Sequence, residues 1–231
     1  MVVVAHPDDA EFMVAGSVAR WIREGREVIY VLCTNGDKGS SDPELTPDKM
    51  ARIRREEQQA ACAVLGVSEL VFLGYPDGHL LKGGMDLRRD IARQIRRFKP
   101  DAVVCQDPTQ RWYGSSYLNH PDHRAAGDAA LDAVFPLARD YHTLPELITE
   151  GLLPHKVRHV YISPGLDGHD AWFDITETIE QKIAALFQHK SQVNGAERPN
   201  GAEGWLRQMG RALAEGHEVE YAEAFKYIRL D

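Results

Sequence analysis

Apolar residues follow two rhythms along this chain. Short continuous runs at 2–5, 27–33, 70–73, 102–105 and 159–163 are rich in β-branched side chains and read as buried strands. Between them the apolar positions recur with helical spacing. The segment 10–23 places Phe12, Met13, Val18, Trp21 and Ile22 on a helix, 48–65 runs as a helix to a stop at Gly66, and 87–98 is closed by Pro100. Further helices are expected over 121–134, which is rich in alanine, and over 176–189 and 205–215. The segment 221–230 mixes Ala-Glu with aromatic residues and fits neither rhythm.

Strand and helix alternate through the first 135 residues, which implies right-handed βαβ units. The expected fold is α/β and Rossmann-like, a largely parallel sheet with helices on both faces. The chain reads as a single domain over 1–231. Residues 1–135 form its core and 136–231 add further strands and helices. Two polar segments, 34–47 and 106–119, are too long to be plain connectors. Ligands of such sheets bind outside the carboxyl ends of the strands. There the segments after 5, 33, 73 and 105 can converge.

Composition narrows the partners. The net charge of -8, from 27 Lys and Arg against 35 Asp and Glu, argues against nucleic acid. No apolar stretch reaches the length of a membrane span, and no basic, apolar, cleavable leader opens the chain. The abrupt start implies that a residue or two of the natural first strand is absent. Cys33, Cys62 and Cys105 share no CxxC spacing and sit in apolar stretches. They read as buried free thiols in a reducing, cytoplasmic compartment.

The candidate chemistry lies in a repeated tripeptide. His6-Pro7-Asp8-Asp9 follows the first strand, and His120-Pro121-Asp122-His123 precedes the alanine-rich helix. Taken alone, Asp8 or Asp9 reads as a helix N-cap and Pro121 as a first-turn proline. Taken together, the clusters suggest one divalent metal site built from two strand ends. His6, Asp9 and His123 supply an N,N,O set that leaves a position for water, the mark of a catalytic rather than a structural zinc site. Zinc brings the pKa of such a water to ~7. Asp8 is then placed as general base, His120 as the group that stabilises or protonates the tetrahedral centre, and Asp122 as the carboxylate that orients His120. The set suits hydrolysis of a carbonyl compound. It also suits ferrous iron or cobalt.

These two motifs, Ala5-His6-Pro7-Asp8-Asp9-Ala10-Glu11 and His120-Pro121-Asp122-His123-Arg124-Ala125-Ala126-Gly127, resemble those of the PIG-L/LmbE-like deacetylases. Supporting similarities lie at Arg54-Arg55-Glu56-Glu57, Phe72 to Gly78, His189-Lys190-Ser191-Gln192 and Tyr221 to Phe225. The resemblance implies a zinc-dependent enzyme that removes acetyl from N-acetylglucosamine-type substrates, including glycosyl intermediates of low-molecular-weight thiols. By position it implies zinc on His6, Asp9 and His123, Asp8 as base, and His120 oriented by Asp122. Arg54 and Asp77 would face the sugar hydroxyls. It further implies a homo-oligomer, often a hexamer.

One position departs from the pattern. Leu118 stands where some members carry a tyrosine, with Tyr117 beside it as a substitute substrate contact. Trp112, Tyr113 and Tyr117 together offer an aromatic wall for a sugar ring. Two rival readings remain open. One is an amidase acting on a larger thiol or sugar conjugate. The other is a non-catalytic sugar-binding module, against which the presence of Asp8 argues. No GxGxxG follows the first strand, which disfavours dinucleotide binding.

Overall fold

The first apolar run becomes β1 (Val2–Val4), and its successors alternate with helices. These are α1 (Asp9–Met13), α2 (Ala15–Arg23), β2 (Ile29–Thr34), α3 (Pro47–Leu65), β3 (Glu69–Tyr75), α4 (Gly84–Phe98) and β4 (Ala102–Gln106). A short ribbon, β5 (Trp112–Tyr113) and β6 (Tyr117–Leu118), leads to α5 (Pro121–Asp132). Then come α6 (Pro145–Thr149), β7 (His159–Ser163), β8 (Ala171–Asp174), α7 (Ile179–Leu186), α8 (Lys190–Val193), α9 (Gly201–Ala214) and β9 (Ala222–Arg229). This computed structural model describes residues 1–163, 168–193 and 201–231.

Among the described residues, seven strands form one sheet in the order β3-β2-β1-β4-β7-β9-β8. The first five are parallel, and β9 runs antiparallel to both β7 and β8. Alternation within the strands divides the core. Val3, Ala5, Ile29, Val31 and Cys33 pack with residues of α4 and α5 on one face. Val2, Val4, Tyr30 and Leu32 pack with residues of α1, α2 and α3 on the other. Strand order reverses between β1 and β4, so a crevice opens at their carboxyl ends. Both His-Pro-Asp segments lie there. Close approach is needed on the β4 side, because a Cβ at Gly127 would run into the Gln106 carbonyl.

Several elements differ from the expectation. The helix over 10–23 breaks at Val14 (φ −140°, ψ 1°). Tertiary partners draw the backbone groups there out of the helical ladder. Glu223 accepts from the N–H groups of Gly16 and Ser17 at 3.0 and 2.7 Å, and Lys182 donates to the Phe12 carbonyl at 3.0 Å. The alanine-rich helix ends at Asp132 and passes into a wider turn, with Phe135 extended at φ −143°, ψ 119°. The cause is Pro136, which lacks an N–H and disfavours helical backbone in the residue before it. The undecided segment 221–230 is the strand β9, buried in its first half. All three cysteines are buried and free.

Candidate metal centre

His6 leaves the end of β1 and is 7% exposed. The turn behind it brings Asp9 back, so that Asp9 Oδ2 accepts from the His6 backbone N–H at 2.8 Å and lies 3.5 Å from His6 Nδ1. Asp9 Oδ1 is 3.1 Å from His123 Nε2. The two histidines and Asp9 are thus brought together. The far ring nitrogen of each histidine is also tied. His6 Nε2 meets Asp77 Oδ1 at 3.0 Å and Asp122 Oδ2 at 3.4 Å. His123 Nδ1 meets Asn119 Oδ1 at 2.9 Å. Outer partners of this kind fix ring orientation and leave the inner nitrogen free to ligate.

His120 closes the cluster. Its ring lies 4.7 Å from that of His6 and 5.5 Å from that of His123, centroid to centroid. Donor atoms of His6, His120 and His123 fall within 4.8 Å of one another, as do those of His6, Asp77, His120 and Asp122. Such sets, three imidazoles or two imidazoles with two carboxylates, and no thiolate, fit a divalent transition metal.

Charge is crowded here. Burial opposes the charge on His6, yet the hydrogen-bonded carboxylates of Asp122, Asp77 and Asp9 outweigh it and raise the pKa well above the usual histidine range. Burial likewise works against Asp9, but His123 and His6 hold its carboxyl well below the usual value. Asp77 settles at about 2, where the His6 bond overcomes burial. Asp8 goes the other way. Burial raises it to about 6 despite Arg54, and the neighbouring Asp9 adds to the rise. Burial and the nearby His6 lower the pKa of His120.

The structure assigns partners that sequence spacing did not. Asp8 makes no side-chain cap; it adopts a left-handed backbone (φ 93°), and its Oδ1 faces Arg54 Nη2 at 3.2 Å. Arg54, expected to fork to sugar hydroxyls, is only 4% exposed. Its guanidinium donates to the carbonyls of Pro7 and Gly36, and side chains at Gly36 or Gly39 would collide with it. Asp77 sits against His6 rather than at an open surface. Asp122, expected to orient the His120 ring, turns its carboxylate to the N–H groups of Gly78 (2.7 Å) and Leu80 (3.1 Å) and to His6. It is the Asp122 backbone N–H that donates to His120 Nδ1, at 3.2 Å. The reason is helical geometry: Asp122 sits in the first turn of α5, which directs its side chain away from His120 and across to residues 78–80.

Tyr117 lies on the ribbon, half exposed, with its ring 5.9 Å from that of Tyr113; Leu118 beside it is 81% exposed. Gln58 escaped the sequence reading, and the roles of Asn119 and Glu11 as hydrogen-bond partners were not foreseen. A signal for Gln58 was present. Met50, Arg54, Gln58, Cys62 and Leu65 form the buried stripe of α3, so two polar residues interrupt an otherwise apolar face.

Residues 1–134 match the sequence pattern of the family described as PIG-L, GlcNAc-PI de-N-acetylase. The chain belongs to the PIG-L family. Its resemblance to individual members extends past the matched region. It is 30% identical over 229 residues to a diacetylchitobiose deacetylase of Thermococcus kodakarensis, covering 96% of this chain and 80% of the relative. It is 28% identical to a 1D-myo-inositol 2-acetamido-2-deoxy-alpha-D-glucopyranoside deacetylase of Saccharopolyspora erythraea, covering 84% and 77%. Among solved structures, the N,N'-diacetylchitobiose deacetylase of Pyrococcus horikoshii superposes with a TM-score of 0.85 at 28% identity, covering 99% of this chain and 82% of that one. These PIG-L relatives are deacetylases of N-acetylglucosaminyl compounds, and the expected fold class is the one found. Among the described residues, no helix is long and apolar enough to cross a membrane.

Proposed function

We propose that this chain is a metal-dependent hydrolase that removes acetyl from an N-acetylated amino sugar or its conjugate, of the N-acetylglucosaminyl type. The observation that carries this reading is the pair of histidines, each tied through one ring nitrogen and turned with the other toward Asp9. His6, Asp9 and His123 would hold the metal, with zinc as the metal of choice and ferrous iron or cobalt as the others this donor set suits. The bound ion supplies Lewis acidity, which polarises a carbonyl and makes water acidic enough to act as a nucleophile near neutral pH.

The chain's own residues supply the proton transfers. Asp8, with its pKa near 6, is matched to accept a proton from attacking water at neutral pH. The same carboxyl then returns that proton to the departing amine as the C–N bond breaks, yielding acetate and the free amino sugar. His120 accepts at Nδ1 from the Asp122 N–H, so its neutral ring carries the proton on Nε2. That N–H is a donor for the developing oxyanion. Asp122 and Asp77 hold His6, and Arg54 holds Asp8. Tyr117, half exposed on the ribbon, offers a face for the sugar ring to pack on.

The relatives' names favour a small N-acetylated sugar as substrate. The setting we propose is cytoplasmic, given three buried free thiols, and the assembly a homo-oligomer, hexameric as in the family's common form. The test is acetate release from N-acetylglucosaminyl compounds by metal-loaded protein, together with metal analysis. The reading fails if no such compound is deacetylated, or if the protein turns over fully without metal.

A further inference from the structure

Behind Asp8 lies a line of buried polar groups that the proposed chemistry leaves unused. Gln58 Oε1 accepts the Asp8 N–H at 3.1 Å. Gln58 Nε2 donates to Glu11 Oε1 at 3.0 Å, and Glu11 Oε2 meets His189 Nε2 at 3.2 Å. Gln58, Glu11 and His189 are each 0% exposed, and they come from α3, α1 and the turn after α7. Burying a carboxyl, an amide and an imidazole is costly unless they satisfy one another, and apolar side chains would fill the same space more cheaply. Their arrangement therefore calls for a reason beyond packing.

The reason lies at residue 8. At φ 93° and ψ −25° the Asp8 backbone lies well away from the favoured left-handed values, a conformation that its surroundings must hold. Two side chains on successive turns of α3 do this. Gln58 holds the Asp8 amide, while Arg54 holds the Asp8 carboxylate and the Pro7 carbonyl. Glu11 and His189 in turn fix the Gln58 amide group, which without them could rotate away. His189 lies beyond residues 1–134, so the second half of the chain reaches the base through this line.

We propose that the His189–Glu11–Gln58 line is a positioning device that holds the strained Asp8 backbone, so that its carboxyl faces the reacting centre. This rests on reading Asp8 as the base. All three are fully buried, closed off from solvent behind Asp8. Exchanging two of them tests the idea, because Gln58→Glu with Glu11→Gln can rebuild every hydrogen bond with the roles reversed.

The first measurement is amide hydrogen exchange in the metal-free protein. Gln58→Leu should speed exchange at Asp8 by about tenfold or more, while the Thr34 amide, bonded to the Ala5 carbonyl, keeps its rate. The second is turnover. Gln58→Leu and Gln58→Glu should each lower kcat by roughly 10–100-fold, with metal stoichiometry and KM retained. The exchanged pair should recover most of both losses, and this arm decides the matter if Gln58→Leu does not fold. In an Asp8→Asn background, Gln58→Leu should add little. The proposal is overturned if Asp8 exchange is unchanged, if it rises with no loss of kcat, or if the loss persists undiminished beside Asp8→Asn. Wild-type protein that releases no acetate overturns the deacetylase reading and the catalytic role of the line with it. The exchange result then still reports whether the line holds residue 8.

Discussion

At Asp8 the chain enters a left-handed turn, whereas at Asp122 it is already in the first turn of α5. The residues leading to both are His and Pro, yet the two aspartates are directed to opposite duties. The first backbone swings Asp8 toward Arg54 and folds Asp9 back onto its own histidine. The second carries the Asp122 carboxylate away from His120, onto His6 and the amides of residues 78 and 80. His6 is therefore met by its own Asp9 and by Asp122 of the other motif, while His120 receives the backbone N–H of Asp122 rather than its carboxylate. The comparison teaches that a short motif names the atoms available, while the backbone conformation at one residue decides what each atom does.

The largest effect expected is at the ligands. His123→Ala should remove stoichiometric metal and take acetate release to background, while His120→Ala should keep the metal and lose turnover by about 10²–10³-fold. Metal analysis beside acetate assays separates these. If His120→Ala also strips the metal, the two histidines of the second motif are not distinct in role. Next come the two aspartates. Asp8→Asn should lower kcat by roughly 10²–10⁴-fold with metal retained. Asp122→Asn should act through His6 and cost about 10–100-fold in metal affinity or activity. Equal losses with equal metal affinity would break the comparison.

A smaller effect concerns stability of the metal-free protein. Asp77 has its pKa depressed to about 2, so its contribution is present above about pH 4 and is lost as pH falls toward 2. Asp77→Asn should then cost about 2 kcal/mol at pH 7 and little at pH 2, as read by urea unfolding. Asp8, raised to about 6, has the opposite sign. Its burden is absent below about pH 4 and grows as pH rises through 6. Asp8→Asn should gain stability over wild type at pH 8 and not at pH 4. A matching pH trend for the two variants would contradict the opposed environments described above. The smallest effect is on the ribbon, where Tyr117→Ala should raise KM by about two- to tenfold with kcat unchanged.

Local signals carried much of this. Apolar runs and helical spacing gave the βα alternation of the first half, because burial on two faces imposes those periods directly on the residues. The ambiguous segment 221–230 was illegible for the converse reason: it lies near the sheet edge and is buried only in part. The break at Val14 was hidden, since Glu223 and Lys182, which cause it, lie far along the chain. Arg54 was expected to face the sugar hydroxyls. Its burial under Gly36 and Gly39 depends on a loop packing over α3, which helical spacing cannot report.

By itself, the sequence determined the parallel α/β frame, the convergence of two His-Pro-Asp segments at the carboxyl end of the sheet, and family membership. These follow from periodicity and from motif residues that sit next to one another in the chain. Only the tertiary structure decided that Asp122 serves His6, and that Gln58 and Arg54 grip the strained Asp8. Those choices are made by distances across packed elements, between residues whose separation along the chain carries no trace of their contact.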